Sequence, residues 1–210
     1  MKILGIFGSS GLAREVADIA LENGYENIFF IDFDSSKERI TGFNIVAENE
    51  LSSMVVNNDF HFIIGIGEGS LRRKIVTKFS GLKYVNIIHP AATIGYKQEV
   101  ILESSKGNIF FAGARFTHNI KIGDFCLFNS NITIGHDCII EDFVTVSPGA
   151  NISGNVKLSE GCYIGTGSTI LQGQSLEDKL IVGKDSIVGA GAVVVKNVIP
   201  ETIVKGIPAK

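Results

Sequence analysis

FFAGARFTHNIKIGDFCLFNSNITIGHDCII, residues Phe110–Ile140, is the stretch from which the fold can be read. Counted in sixes from Phe110, the first residue of every group is apolar: Phe110, Phe116, Ile122, Phe128, Ile134 and Ile140. The count runs on through Val146, Ile152, Leu158, Ile164, Ile170, Leu176, Val182, Val188 and Val194, which makes fifteen hexads between Phe110 and Ile199. The second position is often glycine, as at Gly123, Gly135, Gly165, Gly183 and Gly189, and the fifth is mostly small or aliphatic. An amphipathic helix repeats apolar residues every three or four positions and a half-buried strand every two. A period of six fits neither, but it fits a solenoid of short strands and turns. With one hexad on each face of a triangular prism, eighteen residues make a coil and fifteen hexads make five coils. First-position side chains then point into the prism, and the adjacent glycine is expected to let the chain turn the corner.

The chain has 210 residues, enough for two modest domains. Its hydrophobic fraction of 45% and mean hydropathy of +0.27 are high, in part because every solenoid strand buries one face. No stretch approaches eighteen uninterrupted apolar residues, which argues against a membrane span. The N-terminal MKILGIFGSSG lacks a signal-peptide layout, so the expected location is the cytoplasm. A net charge of −3 without a basic block argues against nucleic acid as a partner. Cys126, Cys138 and Cys162 all take the fifth position of a hexad, where they read as small buried side chains. Their spacings are multiples of six and match no metal-ligand pattern, so no metal is expected.

Residues 1–90 have a different texture and are read as a first domain, with 91–210 as the second. Lys2–Phe7, Ile28–Ile31, Phe43–Ala47, Phe60–Ile66 and Lys83–Ile88 read as strands. Leu12–Asn23, Asn49–Val56 and Leu71–Phe79 read as helices, the last with Ser70 as its N-cap. Alternation of strand and helix predicts a small Rossmann-like α/β domain with a parallel sheet. Ala92–Gly95 looks like an isolated first solenoid corner, Glu99–Asn108 like a loop, and the segment after Val194, with Pro200 and Pro208, like a cap.

Three features fall on the carboxyl edge of that sheet, where open α/β sheets bind ligands. Gly8-Ser9-Ser10-Gly11 joins strand to helix and aims free N–H groups at an anion. Asp32 ends the second strand, where it could hold a sugar or ribose hydroxyl. Gly65-Ile66-Gly67 ends the third. In the solenoid, His136 and Asp137 occupy the third and fourth positions of one hexad, and third-position side chains point outward. A neutral imidazole beside an orienting carboxylate is a reasonable general base for an amine or a hydroxyl. His118 lies eighteen residues earlier in the same outward column, one coil or about 4.8 Å away by strand spacing. Asn119 follows it in place of an acid, which ranks His136 above it. His61 and His89 read as structural.

The hexads and the tail Gly206-Ile207-Pro208-Ala209-Lys210 resemble the hexapeptide-repeat acyltransferases, whose solenoid is a left-handed parallel β-helix. The Gly-rich N-terminal sheet domain, Ile88-His89-Pro90 and Gly135-His136-Asp137-Cys138 narrow the resemblance. It becomes that of sugar acetyltransferases of the sialic-acid O-acetyltransferase or bacillosamine and perosamine N-acetyltransferase type. The resemblance implies His136 as the base, Asp137 as its acidic neighbour and Asn129 as a sugar contact. It implies Ser10, Gly11, Leu12, Asp32 and Gly67 as nucleotide-sugar contacts, and Gly154, Thr166 and Ala190 as contacts of acetyl-CoA, the co-substrate. It also implies a homotrimer with active sites between subunits. Family members commonly carry a second histidine nine residues after the base, where this chain has Thr145.

The expected activity is acetyl transfer to the amino group of a nucleotide-linked amino sugar, a 4-amino-4,6-dideoxyhexose, for surface-glycan synthesis. Transfer is expected to be direct, since the cysteines are buried and no serine adjoins a base. O-acetylation of a sialic acid or related sugar is the alternative from the same residues, and a non-catalytic solenoid scaffold is a second.

Overall fold

The computed structural model describes residues 2–33, 39–54, 60–96, 102 and 104–210. The N-terminal part runs β1 (Ile3–Phe7), α1 (Gly11–Glu22), β2 (Asn27–Asp32), β3 (Arg39–Ile40), β4 (Phe43–Ala47), α2 (Leu51–Met54), β5 (Phe60–Ile64) and α3 (Gly69–Lys78). Its sheet has the order β3-β4-β2-β1-β5 and is parallel except for the β3–β4 pair. Helices cover both faces, so the central strands are apolar throughout and not alternating. Leu4, Ile6 and Phe30 pack on one face with Val16 and Ala20 of α1. Phe7, Ile31, Phe62 and Ile64 pack on the other with Ile75 and Phe79 of α3.

Two local expectations change. The N-cap of helix α3 is Glu68, two residues before the expected Ser70, whose hydroxyl instead donates to the Glu68 carboxylate. The first i→i−4 bond, from Arg72 N–H to the Glu68 carbonyl, fixes that start. The expected strand Lys83–Ile88 divides: Tyr84 bridges Phe62 beside β5, whereas Ile87–Ile88 pair with Ile109–Phe110. Residues 55–56 of the expected second helix, and 99–101 and 103 of the expected loop, lie outside the described residues.

The remainder is a left-handed parallel β-helix. Three parallel sheets of seven, six and four strands form its faces. The first face includes Leu127–Phe128, Thr145–Val146 and Tyr163–Ile164. The second begins at Thr93–Ile94, inside the expected early corner, and includes Thr133–Ile134 and Asn151–Ile152. The third includes Ile139–Ile140, Val156–Leu158 and Leu180–Val182. First- and fifth-position side chains fill the interior, the three cysteines among them.

One hexad leaves the prism. Leu127 pairs with Thr145, a step of 145 − 127 = 18 residues, but Val156 pairs with Leu180, a step of 180 − 156 = 24. The extra six residues form an excursion at Gln174–Lys179, and Leu176, expected inside, is 54% exposed. Because the excursion is itself six residues long, it leaves the count of sixes undisturbed.

The corners also work differently from the expectation. Second-position glycines do not supply the turn. A Cβ at Gly135 would lie 2.6 Å from the Gly154 nitrogen, and one at Gly165 would lie 2.6 Å from that of Ala190. They are glycines because the next coil's backbone passes too close for a side chain. The turn belongs to the fourth position, which takes the left-handed conformation at Asn119, Asn131, Asp137, Asn155 and Asp185, and at Gly113, Gly149, Gly161, Gly167 and Gly191. Gly, Asn and Asp tolerate that conformation. Phe125 and Phe143 adopt it too, at φ of 57° and 59°, which a bulky residue does only when its surroundings demand it. Both rings are turned out of the prism onto the N-terminal sheet, stacked on each other at 5.5 Å, with Tyr84 edge-on to Phe125 at 5.0 Å.

Candidate active site

His136 stands at the corner between the second and third faces, with its side chain half exposed. Its Nδ1 lies 2.7 Å from Oδ2 of Asp137. A carboxylate only accepts, so Nδ1 carries the proton and Nε2 of the neutral ring presents a lone pair. Nε2 faces Gly154 of the next coil, where a Cβ would come within 2.5 Å of it. Gly154 is thus the residue that gives the ring room.

Asp137 is held from several directions. Asn119 Nδ2 donates to its Oδ1 at 2.6 Å, its N–H donates to the His118 carbonyl at 3.0 Å, and Lys179 Nζ donates to its carbonyl at 2.7 Å. Hydrogen bonds from Asn119 and then from His136 hold the Asp137 carboxyl below its ordinary value. His118 does occupy the column one coil below, and its neighbour Asn119 serves the dyad of His136. The cysteines are excluded as nucleophiles: burial pushes the Cys126 thiol up to about 12 and the Cys138 thiol up to about 11.

Two hollows lie elsewhere. One, of about 520 Å³, is lined by Gly8, Ser9, Ser10, Arg14, Asp32, Ile40 and Ile66 at the carboxyl edge of the sheet. In it the Ser9 hydroxyl donates to the Asp32 carboxylate. The second, of about 740 Å³, lies between α3 and the first β-helix face, and Leu12, Gly67, Asn129, Thr145, Tyr163 and Thr166 are among its walls. The hollows adjoin, since Ile66 and Gly67 line one and the other. Gly11 opens α1 between Ser10 and Leu12.

Residues 3–79 match the PglD N-terminal domain family. The whole chain superposes on WeeI from Acinetobacter baumannii AYE, with 31% identity, a TM-score of 0.89, and coverage of 100% of this chain and 99% of that one. The acetyltransferase domain of PglB from Neisseria gonorrhoeae FA1090, in complex with acetyl coenzyme A, gives 30% identity, a TM-score of 0.86, and coverage of 100% and 98%. The chain belongs to this family of hexapeptide-repeat sugar acetyltransferases. It is also 29% identical over 199 residues to the GDP-perosamine N-acetyltransferase of Escherichia coli O157:H7, covering 91% of this chain and 85% of that one.

Within one chain of this sugar acetyltransferase the expected site residues form three groups. His136, Asp137 and Gly154 share one corner. Asn129, Thr166 and Ala190 lie on the corner after the first face, and Leu12 and Gly67 stand beside them around the larger hollow. Ser10 and Asp32 stand at the sheet edge. His136 lines neither hollow.

Thr145, where a second histidine is common, has a different use. It is 3% exposed, accepts from Arg72 Nη2 at 3.0 Å, and donates to the Gly67 carbonyl at 3.0 Å. Arg72 is 1% exposed, and its six partners are the Thr145 hydroxyl and the carbonyls of Ile66, Gly67, Phe125, Phe143 and Val144. Burial lowers its pKa to about 10, so it stays charged at neutral pH. This guanidinium ties the Gly67 loop to the β-helix, and sequence reading gave it no role. Asn119 and Lys179 were likewise missed. Asn119 carried a signal, its eighteen-residue spacing from Asp137, while Lys179 lies in the excursion and carried none.

Proposed function

We propose that this acetyltransferase moves the acetyl group of acetyl-CoA to the 4-amino group of a nucleotide-linked 4-amino-4,6-dideoxyhexose, with His136 as general base. The observation that carries the reading is the His136–Asp137 pair, whose 2.7 Å contact leaves Nε2 as the acceptor over Gly154. The neutral amine attacks the thioester carbonyl while Nε2 takes its proton. The resulting oxyanion is met by the Gly154 N–H, a type of contact worth about 3 kcal/mol in the transition state. Collapse expels the CoA thiolate, which recovers the proton from the imidazolium. No acyl-enzyme is formed.

Two adjoining hollows suit a nucleotide sugar. Ser10, Gly11 and Asp32 take the nucleotide at the helix N-terminus, and Leu12, Gly67 and Asn129 take the sugar. Gly154, Thr166 and Ala190 contact acetyl-CoA. The relative named a GDP-perosamine N-acetyltransferase and the PglB domain bound to acetyl coenzyme A support these two substrates. Because the base and the sugar hollow lie on different corners of one prism, the complete site takes one corner from each of two copies in a homotrimer. Among the described residues no helix is long and apolar enough to cross a membrane. On this reading the reaction belongs to the cytoplasm, in the supply of sugars for a surface glycan.

Incubation with acetyl-CoA and a panel of GDP-, UDP- and dTDP-linked 4-amino-4,6-dideoxyhexoses, with free CoA as the readout, tests the reading. One acceptor is expected to release CoA, and His136→Ala is expected to abolish the release. Silence with every acceptor, or full turnover by His136→Ala, would count against it.

A further inference from the structure

The six-residue excursion at Gln174–Lys179 is rooted, through Gly173, on the turn that faces His136. Gly173 N–H donates to the Gly154 carbonyl at 3.1 Å, and Leu180 N–H donates to the Asn155 carbonyl at 3.1 Å. The root is tight, since a Cβ at Gly173 would meet the Asn155 carbonyl oxygen at 2.1 Å. From there the chain closes on itself, with Gln174 N–H bonded to the Asp178 carbonyl at 2.9 Å. Lys179 then reaches down the corner, past the coil that carries Gly154, to the Asp137 carbonyl 42 residues earlier in sequence.

That carbonyl is the one part of Asp137 the β-helix itself does not hold. The repeat supplies His118 for the Asp137 N–H and Asn119 for Oδ1, nineteen and eighteen residues back in the coil below. In the left-handed conformation at φ 60° the carbonyl is met by the ammonium of Lys179, a half-buried residue. With that contact the main chain of Asp137 is clamped on both sides. Its carboxylate can then hold the Nδ1–H of His136 in one orientation. An ammonium also supplies positive charge to a corner that bears a carboxylate.

We infer that Lys179 is a positioning residue for acyl transfer: the excursion exists to deliver its ammonium to Asp137, which in turn fixes the tautomer and aim of His136. This rests on His136 as general base. The hydrogen bond of Lys179 goes to the Asp137 carbonyl and not to the imidazole, so its effect is expected in turnover and not in substrate affinity.

The test compares wild type with Lys179→Met, which keeps the stem and removes the cation, and Lys179→Arg, which keeps the charge and the donor. The chain has only four histidines, so long-range 1H–15N spectra of the 15N-histidine-labelled protein resolve each ring, with His136→Ala giving the assignment. His136 is expected to be the Nδ1–H tautomer in wild type and Lys179→Arg, and to move toward an Nε2–H mixture in Lys179→Met. With GDP-perosamine and acetyl-CoA as probes, Lys179→Met is expected to lose about tenfold in kcat with both KM values unchanged, the size expected of a misplaced catalytic group. Lys179→Arg should restore most of the loss. An unchanged tautomer in Lys179→Met overturns the inference whether or not the probes turn over, as does an unchanged kcat when they do. Failure of the general-base reading looks different: His136→Ala would then turn over normally while the tautomer still responded to Lys179.

Discussion

Asp137 divides its carboxylate between two partners, so the neutral side chain of Asn119 influences the His136 imidazole, with which it shares that carboxylate. Asn119→Ala removes the largest contribution holding the Asp137 carboxyl below its ordinary value of 3.8. A depressed carboxyl lends its contact at pH values above the ordinary pKa and loses it as pH falls through the lowered one. In Asn119→Ala the Asp137 midpoint is therefore expected to rise toward 3.8, read from the 13C shift of its side-chain carbonyl. The buried thiols have the opposite sign. Their contribution to stability is intact below the ordinary value of 9.0 and is lost as pH rises toward about 11 for Cys138 and about 12 for Cys126. At pH 8 a chromogenic disulfide reagent should modify none of the three cysteines of the native protein, and all three after unfolding. The dyad was legible from residue types and their hexad positions. Its supports were legible only where they obey the eighteen-residue spacing, which Asn119 does and Lys179 does not.

At the scale of the corner, the fourth and second positions have separate jobs. The fourth sets the direction of the chain and the second lets the next coil come close. Gly135→Ala tests the second, because its Cβ would press on the backbone of Ser153 and Gly154. A cost of about 1–3 kcal/mol is expected from such overpacking, measured by urea unfolding. Turnover should fall further than stability explains, because the backbone displaced is the one under His136. Inward and outward positions followed directly from the period of six. Two things did not. The excursion escaped because its length equals the period. Phe125 and Phe143 escaped because the period assigns no role to a phenylalanine at a fourth position; they are left-handed corners turned toward another part of the molecule. The run of Gly, Asn and Asp at fourth positions was present in the sequence, and against that background the two phenylalanines stand out as exceptions with a purpose.

At the scale of the whole molecule, Arg72 and the two phenylalanine corners make the sheet and the prism one body. Leu127, Ile109 and Phe111 of the first face pack in the same apolar cluster as α1, so the contact is broad as well as polar. Arg72→Met would leave buried carbonyls of Phe125 and Phe143 without a donor, at an expected cost of about 3 kcal/mol. Calorimetry should find one cooperative transition in the wild type and an earlier, separate melting of the N-terminal part in Arg72→Met. The KM for the nucleotide sugar should rise as the Gly67 loop loosens, while that for acetyl-CoA should not. Two parts of unlike texture were legible from residue patterns alone. Their union was not, because it depends on one buried cation whose partners are backbone oxygens, and backbone oxygens leave no trace in a sequence.

The excursion also bears on how the molecule could be handled. The chain leaves the prism after Gly173 and rejoins it at Leu180, so the length in between is invisible to every later strand. Leu176 and Glu177 at its outer part are exposed. A fluorophore or a short peptide spliced between them would shift no register and bury no surface. It would stand beside the His136 corner as a ready-made port for an environment-sensitive reporter.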